Sequence, residues 1–270
     1  MIPRRNLINT SKTSVVVTTY NDAEYLERSL PSIINQSLKP IEVIIIDDGS
    51  DNDDAEIITN SLNEIPDGSI LHYSDIGNHL NNSGIWRLEE YIKKTKENNM
   101  VVFDYRNPPI ELSKKEYNYQ KYFEYEFTKG DIFNYFNLNN QSEIYNSYQI
   151  WGGTFFLQKG NFSNDFINQW HKANQLTHLF DDSPSKVKNH DKFKGMRGCQ
   201  SVFSILSKIN GAYKFSASEC EWAEFNNSKT WNHILNYPIL AKRDKKFNIF
   251  RRFINRQKKT LNRIKNKIFK

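Results

Sequence analysis

The chain has 270 residues, of which 38% are hydrophobic and 25% are charged, so it can form a sizeable core, and fibrous or fully disordered classes are excluded. The net charge of +6 is uneven: residues 242–270 hold 13 Lys or Arg and one acid, whereas the rest holds 24 basic and 30 acidic side chains. Cys199 and Cys220 lack the spacing of a disulfide framework or a zinc site. Short apolar runs and the lack of an apolar stretch after the basic start predict a cytoplasmic chain without membrane spans.

Strands and helices alternate in the predicted N-terminal half. The β-branched run 14–19 predicts a buried parallel strand, and the apolar spacing over 23–36 predicts a helix. A second strand is expected over 41–46, a second helix over 53–63 and a third strand over 69–73. This order predicts right-handed βαβ units, and hence an α/β fold with a parallel sheet.

The polar segments that follow these strands should line one crevice. Ligands of parallel sheets bind at the carboxyl ends of the strands, which here are 19–22, 47–51 and 74–78. Two adjacent carboxylates before a glycine can accept hydrogen bonds from a base and a ribose, and a third can hold a divalent cation against a diphosphate. The alternative for 47–50 is an ordinary turn with a helix cap. Neither GxGxxG nor GxxxxGK[ST] occurs in the sequence, so acids and a metal would hold a nucleotide.

Two stretches of this half resemble the nucleotide-binding half of family 2 glycosyltransferases of the GT-A fold. They are Ser14-Val15-Val16-Val17-Thr18-Thr19-Tyr20-Asn21 and Ile41-Glu42-Val43-Ile44-Ile45-Ile46-Asp47-Asp48-Gly49-Ser50. The resemblance implies a GT-A-like, Rossmann-type α/β sandwich with a mostly parallel central sheet. It also implies a nucleotide-sugar donor bound by Thr19, Tyr20, Asp47, Asp48 and Gly49.

Residues 62–215 resemble uncharacterised glycosyltransferase-like proteins of bacterial surface-polysaccharide loci. The matching stretches include Tyr73-Ser74-Asp75-Ile76-Gly77, Asp181-Asp182-Ser183-Pro184 and Gln200-Ser201. In those relatives the Tyr-x-Asp-x-Gly loop resembles a degenerate metal motif, which implies that Asp75 binds Mn²⁺ or Mg²⁺. The chain departs from the patterns twice: only 27 residues separate Asp48 from Asp75, and Gly198-Cys199 replaces a His-Asp pair.

A transferase of this kind also needs a base and an acceptor site. An inverting transfer requires a carboxylate within about 3 Å of the acceptor hydroxyl, and Asp182, beside Asp181, is the candidate. A turn with a helix cap is the alternative for this pair. Residues 151–156 predict a turn into a strand, and Gly152 and Gly153 would let the backbone approach a sugar closely. Core packing is the alternative for Trp151. No histidines form HExxH or another ligand pair, so none is assigned to a metal, and only His79 and His190 stay as weak candidates.

We expect a GT-A-like domain over 11–240, with a nucleotide-binding half at 11–78 and an acceptor half at 79–240. The tail at 241–270 should form a basic amphipathic helix that binds the anionic inner face of the membrane. Its apolar residues recur at helical spacing: Phe247, Phe250, Ile254, Leu261, Ile264 and Ile268. A packed or oligomer-forming helix and a nucleic-acid arm are the alternatives for the tail.

The expected function is metal-dependent, hexosyltransferase-like transfer from a nucleotide sugar to a polysaccharide or lipid-linked glycan. The partners are then the nucleotide sugar, the glycan acceptor and an anionic membrane surface, with no nucleic acid. The protein would act in bacterial surface-glycan biosynthesis, peripheral on the cytoplasmic face of the cell membrane. The alternative is a catalytically inactive relative that binds a sugar nucleotide or a glycan as a scaffold, which both departures favour.

Overall fold

The computed structural model describes residues 13–19, 32, 42–47, 67–75, 78–106, 117–119, 121–139, 141–181, 183–226 and 228–241. The helices predicted at 23–36 and 53–63 and the tail helix lie outside the described residues, apart from residue 32. The helices are α1 (Ile85–Asn98), α2 (Glu124–Phe127), α3 (Gly130–Tyr135), α4 (Asn161–Asn174) and α5 (Cys199–Ile209). The longer strands are β1 (Thr13–Thr19), β2 (Glu42–Asp47), β3 (Ile70–Asp75), β5 (Met100–Asp104), β7 (Ile150–Gln158) and β8 (Tyr213–Ser216).

Five further strands in the described part of the chain are only two or three residues long. They are β4 (His79–Leu80), β6 (Tyr117–Asn118), β9 (Ala223–Phe225), β10 (Ser228–Thr230) and β11 (Ile239–Leu240). β6, β9 and β10 form a three-stranded antiparallel sheet, and β4 pairs with β11. No helix in these ranges is both long and apolar enough to cross a bilayer.

The central sheet has six strands in the order β2-β1-β3-β7-β5-β8. β1 pairs in parallel with both β2 and β3, so the three predicted strands and their parallel pairing are confirmed. The sheet is mixed, because β7 runs antiparallel between β3 and β5. β5 and β8 are again parallel. The carboxyl ends of β1, β2, β3, β5 and β8 therefore lie along the same edge of the sheet as the start of β7.

Two apolar layers cover the sheet, and strand alternation assigns the side chains to them. One layer joins Leu71 of β3 and Phe155 of β7 to Phe166 of α4 and Phe203 of α5. The opposite layer joins Ile70 and Phe156 to Tyr91 of α1. The described core is thus a three-layer α/β/α arrangement, which confirms the predicted α/β class.

The helices after β6 are connected through a buried ion pair. The Glu124 carboxylate of α2 contacts the Lys208 ammonium of α5, and these side chains are 0% and 1% exposed. Ser204 and Thr128 each donate a hydroxyl hydrogen bond of 2.6 Å to the same carboxylate. A buried charge is tolerated only when it is paired and hydrogen-bonded, and this network satisfies that condition.

Candidate functional site

Three polar residues end neighbouring strands at the carboxyl edge of the sheet. In the register of the ladder, Thr19 pairs with Asp47 and Thr18 pairs with Asp75. Since adjacent strands lie about 4.8 Å apart, the backbones of Asp47 and Asp75 are separated by about 10 Å across β1. Thr19, Asp47 and Asp75 thus end the adjacent strands that the sequence predicted.

Several predicted site residues lie outside the described part of the chain. These are Tyr20, Asp48, Gly49 and Asp182, so a distance of less than about 10 Å between the Asp48 and Asp75 carboxylates stays a prediction. Asp75 itself is half-buried, and Oδ1 of its carboxylate accepts a long hydrogen bond of 3.4 Å from the Tyr73 hydroxyl. Among the described residues, no three Cys, His, Asp or Glu side chains converge on a possible cation site.

The start of β7 closes the edge beside Asp75. The Asn78 amide donates hydrogen bonds of 2.7 Å to the Gly153 carbonyl and 3.3 Å to the Ser74 hydroxyl. Val101 pairs with Phe156 whereas Phe103 pairs with Trp151, so β7 carries a bulge over residues 152–154. Bulges often lie next to functional sites, where they redirect the chain.

The predicted turn at Gly152 and Gly153 is wrong, because both residues belong to β7. A Cβ atom at Gly153 would lie 2.3 Å from the Trp151 ring, so the ring fills the space that the turn was expected to offer a sugar. Trp151 is 7% exposed and packs with Phe103 and Phe156 in the core. The core-packing alternative for Trp151 is therefore correct.

A fourth strand end at this edge was not predicted from the sequence. Asp104 ends β5 and is buried, and its carboxylate accepts two hydrogen bonds from the Arg106 guanidinium, from Nε at 2.6 Å and from Nη2 at 2.7 Å. The signal was present, because Met100–Asp104 is an apolar run that ends in an acid, as β2 is. The edge thus carries a guanidinium as well as carboxylates.

A second guanidinium lies among aromatic rings before α5. Arg197 lies 3.9 Å from the centre of the Tyr122 ring and donates a hydrogen bond of 3.2 Å to the Tyr105 hydroxyl, one residue after β5. Gly198 follows with φ of +57°, a conformation that side chains with a Cβ rarely adopt. A residue with a Cβ would therefore be strained at this position.

Asp181 contacts a different part of the molecule. Its carboxylate accepts hydrogen bonds from the Ser183 hydroxyl and from the Lys129 ammonium, the latter at 3.1 Å. Ser183 and Lys129 together lower the pKa of Asp181 to about 2. A base with so low a pKa is weak at neutral pH, which favours a role for Asp181 in anchoring the loop after α4 to Lys129.

Residues 14–75 match the family model described as Glycosyl transferase family 2. Over 146 residues the chain is 32% identical to the poly(ribitol-phosphate) beta-N-acetylglucosaminyltransferase TarP of Staphylococcus aureus, an overlap covering 52% of this chain and 38% of that protein. Over 145 residues it is 30% identical to the glycosyltransferase GlyA of Streptococcus pneumoniae, covering 54% and 20%. An uncharacterized glycosyltransferase of Nostoc sp. is 39% identical over 56 residues, covering 21% and 17%.

The chain spans well under two thirds of the length of each of these relatives. Solved structures with partial similarity include a galactosyltransferase, LgtC, in complex with donor and acceptor sugar analogs, at a TM-score of 0.42 and 10% identity, covering 76% of this chain and 74% of that one. A glycosyltransferase that glycosylates the major capsid of PBCV-1 has a TM-score of 0.40 and 11% identity, covering 84% and 91%. Residues 14–75 thus carry the family 2 glycosyltransferase pattern, and the family resemblance predicted from the motifs is confirmed.

Proposed function

We propose that this protein transfers a glycosyl group from a nucleotide sugar to a glycan acceptor in bacterial surface-glycan biosynthesis, as a GT-A-like enzyme. The observation that carries the proposal is the alignment of Thr19, Asp47 and Asp75 at adjacent strand ends, within the segment that matches family 2. Ligands of open α/β sheets bind at this edge. Tyr20, Asp48 and Gly49 follow β1 and β2 directly and would complete the nucleoside site.

The donor diphosphate would lie beside Asp75. A divalent cation bound there would neutralise the charge that develops on the leaving diphosphate. Mg²⁺ in such sites is held by one or two carboxylates together with phosphate oxygens, so Asp75 fits as part of the ligand set. The guanidinium of Arg106 at the end of β5 adds positive charge at the same edge of the sheet.

In the reaction, the acceptor hydroxyl oxygen forms a bond to the anomeric carbon while the bond from that carbon to the diphosphate breaks. The hydroxyl proton passes to a base, for which Asp182 remains the candidate, with Asp181 as its neighbour. The contact between Asp181 and Lys129 makes Asp182 the stronger candidate of the two. In the sequence Asp182 precedes residues 187–191, which line a cavity in the acceptor half.

A binding protein without transferase activity is the second candidate. It is favoured because two carboxylates that could have served catalysis are already paired, Asp104 with Arg106 and Asp181 with Lys129. Such a protein would bind the sugar nucleotide or the glycan and hold it for another enzyme. It would bind ligand without turnover.

The test is a panel of nucleotide sugars, each with and without Mn²⁺, scored separately for binding and for hydrolysis or transfer. We expect Asp75→Asn to weaken metal-dependent donor binding by about tenfold or more, because it removes a charged ligand from the diphosphate site. The matched control is Asp67→Asn, which changes an 81% exposed aspartate near the opposite end of β3. Equal donor binding by the two variants would exclude Asp75 from the site, and binding without turnover would favour the second candidate.

The basic tail supports a proposal about location. Residues 242–270 carry 13 basic side chains and one acid, so we propose that they bind the anionic face of the cell membrane. Deleting them should abolish co-sedimentation with vesicles that contain phosphatidylglycerol, and added salt should weaken the binding of the full chain. Unchanged sedimentation after the deletion would contradict the proposal and would point to a packed or oligomer-forming helix.

A further inference from the structure

A cavity of about 560 Å³ opens in the acceptor half, away from the residues assigned to the donor. It lies between α3 and residues 187–191, and its remaining lining residues are Leu138, Tyr145 and Asn146. Its volume is within the range of about 300–1,000 Å³ that is typical of small-molecule sites. None of the described residues at the carboxyl edge of the sheet lines it, so the cavity is separate from the proposed donor site.

The walls of this cavity are rigid, because hydrogen bonds join α3 to the loop opposite. The Asp131 carboxylate accepts hydrogen bonds of 3.0 and 2.8 Å from the backbone N–H groups of Lys186 and Val187. The backbone N–H of Gly130 donates to the Asn189 side chain at 2.7 Å. A Cβ atom at Gly130 would lie 2.7 Å from the carbonyl oxygens of residues 187 and 188, so the two walls are already in close contact. The cavity is therefore preformed.

Aromatic rings line the cavity and continue out of it. The Tyr145 ring lies 4.3 Å from Phe133 and 5.9 Å from His190, both of which line the cavity. Beyond His190, half-buried rings follow one another to the carboxyl edge of the sheet, with centroid separations of 4.4 Å (His190 to Tyr125), 5.3 Å (Tyr125 to Phe123) and 4.8 Å (Phe123 to Tyr148). We call this row the aromatic track. Tyr148 lies two residues before β7, so the track joins the cavity to the edge that carries Asp75.

The polar groups of the cavity suit an uncharged ligand. Its charged side chains Lys188 and Asp191 form an ion pair of 3.2 Å and balance each other. Asn134 is exposed, and its side-chain amide makes no hydrogen bond to any described residue. Burial and the nearby Asp191 carboxylate raise the pKa of Tyr145, so its hydroxyl stays a hydrogen-bond donor at neutral pH.

We propose that the cavity and the aromatic track bind uncharged pyranose units of the acceptor glycan. This inference rests on the proposed function and names the site and the chemistry of its acceptor. The apolar face of a pyranose packs on aromatic rings, and its hydroxyls pair with amides such as Asn134. A nucleotide could also stack on the rings. Its phosphates would find no net positive charge in the cavity, because Lys188 is paired with Asp191.

The test measures binding of uncharged tetrasaccharides of glucose, galactose and N-acetylglucosamine to the full chain, without nucleotide. We expect saturable binding that Tyr145→Ala weakens by about tenfold and Asn134→Ala by about threefold, because each removes one contact to the sugar. The matched controls are Tyr135→Ala, which removes an exposed ring at the end of α3, and Asn168→Ala on α4. Neither residue lines the cavity. Both controls should bind as the unmodified chain does.

Donor binding by the same variants separates this inference from the proposed function. We expect Tyr145→Ala to bind nucleotide sugar normally and Asp75→Asn to bind tetrasaccharide normally, because the two sites are distinct. If the unmodified chain binds tetrasaccharide but no nucleotide sugar, the proposed function is contradicted and the glycan site remains. Three outcomes would each overturn the inference. One is equal tetrasaccharide binding by Tyr145→Ala and Tyr135→Ala. The others are no binding of any tetrasaccharide and stronger binding of glycans that carry phosphate.

Discussion

Two regions of the molecule form their sites in different ways. In the strand-end region, which comprises β1, β2 and β3, the candidate ligands follow directly on strands, and main-chain hydrogen bonds set their register. In the helical region, residues 121–139 and 183–209, side chains far apart in sequence form the contacts. Glu124 meets Lys208 across 84 residues, and Asp131 meets Val187 across 56. A sequence motif can therefore specify the first site, whereas only the folded chain assembles the second.

The regions also differ in how they treat buried titratable groups. His72 of β3 stacks on Phe156 at 4.2 Å and makes a hydrogen bond of 2.9 Å to Thr154, and burial lowers its pKa to about 3. It is therefore neutral at pH 7. The helical region instead buries Glu124 against Lys208. Burial lowers the pKa of Lys208, and the Glu124 carboxylate opposes part of that shift. The stability of the strand-end region should thus fall in acid. The stability of the helical region should fall when either Glu124 or Lys208 is removed.

Lys208→Met should produce the largest loss of stability. It leaves the Glu124 carboxylate buried without a counter-charge, and breaking a buried pair in this way costs about 3–5 kcal/mol. The measurement is the free energy of unfolding in urea. The double variant Glu124→Gln with Lys208→Met removes both charges and keeps an acceptor for Ser204, so it should recover most of the loss.

An exposed ion pair provides the control for this experiment. Lys94 and Glu97 of α1 lie 2.7 Å apart at the surface, and Lys94→Met should leave the unfolding free energy almost unchanged, because water screens an exposed pair. If Lys208→Met costs no more than Lys94→Met, the helical region does not depend on its buried charges. The contrast between the two regions would then fail.

The strand-end region was the part that sequence could predict. The continuous β-branched runs at 14–19 and 41–46 are typical of buried parallel strands. Parallel pairing then brings the polar residues at their carboxyl ends together. A strand after Gly153 was predicted, but its place was not, because nothing local indicates that an antiparallel strand inserts between β3 and β5. The prediction also missed Asp104, although β5 repeats the pattern of an apolar run that ends in an acid.

The helical region could not be predicted because its geometry depends on tertiary contacts. The density of aromatic residues from Tyr117 to Tyr148 fits stacking on an acceptor sugar, but because 14% of the chain is aromatic, a plain core explains most of it. The cavity brings Tyr145 and His190 together although they are 45 residues apart in the sequence, and hydrogen bonds from α3 hold the loop that carries His190. Trp151 shows the opposite error, because its neighbouring glycines suggested a turn where packing made a strand.

His72 offers a test of the neutral strand-end core. Its pKa is 6.5 in the unfolded chain and about 3 in the folded one, so between these values the unfolded state binds the extra proton. Stability contributed by neutral His72 is present above pH 6.5 and is lost as the pH falls toward 3, by up to about 1.4 kcal/mol per pH unit. His72→Gln should flatten this slope between pH 6 and about 4, as measured by urea unfolding. Equal slopes in both proteins would mean that His72 does not titrate with unfolding.

The smallest expected effect concerns the boundary between the regions, where β5 brings Arg106 to the strand-end edge. Arg106 is held by Asp104, and its side chain is 43% exposed, so part of the guanidinium can reach a ligand. If the donor site extends beyond β3 to β5, this charge contributes to binding of the diphosphate. Arg106→Ala should then weaken binding of uridine and guanosine diphosphates by about fivefold, close to the roughly 1 kcal/mol of one charge-assisted contact.

Variants that keep or remove charge separate this contribution from simple loss of structure. Arg106→Lys retains the positive charge but not the two-pronged contact with Asp104, so it should lower thermal stability while losing less affinity than Arg106→Ala. Lys93→Ala, at a 73% exposed position on α1, removes a charge elsewhere and should leave affinity unchanged. If Arg106→Ala binds both diphosphates normally, the nucleotide site ends at β3, and Arg106 serves only to neutralise the buried Asp104. The strand-end region would then hold the donor site alone, as the sequence motifs predicted.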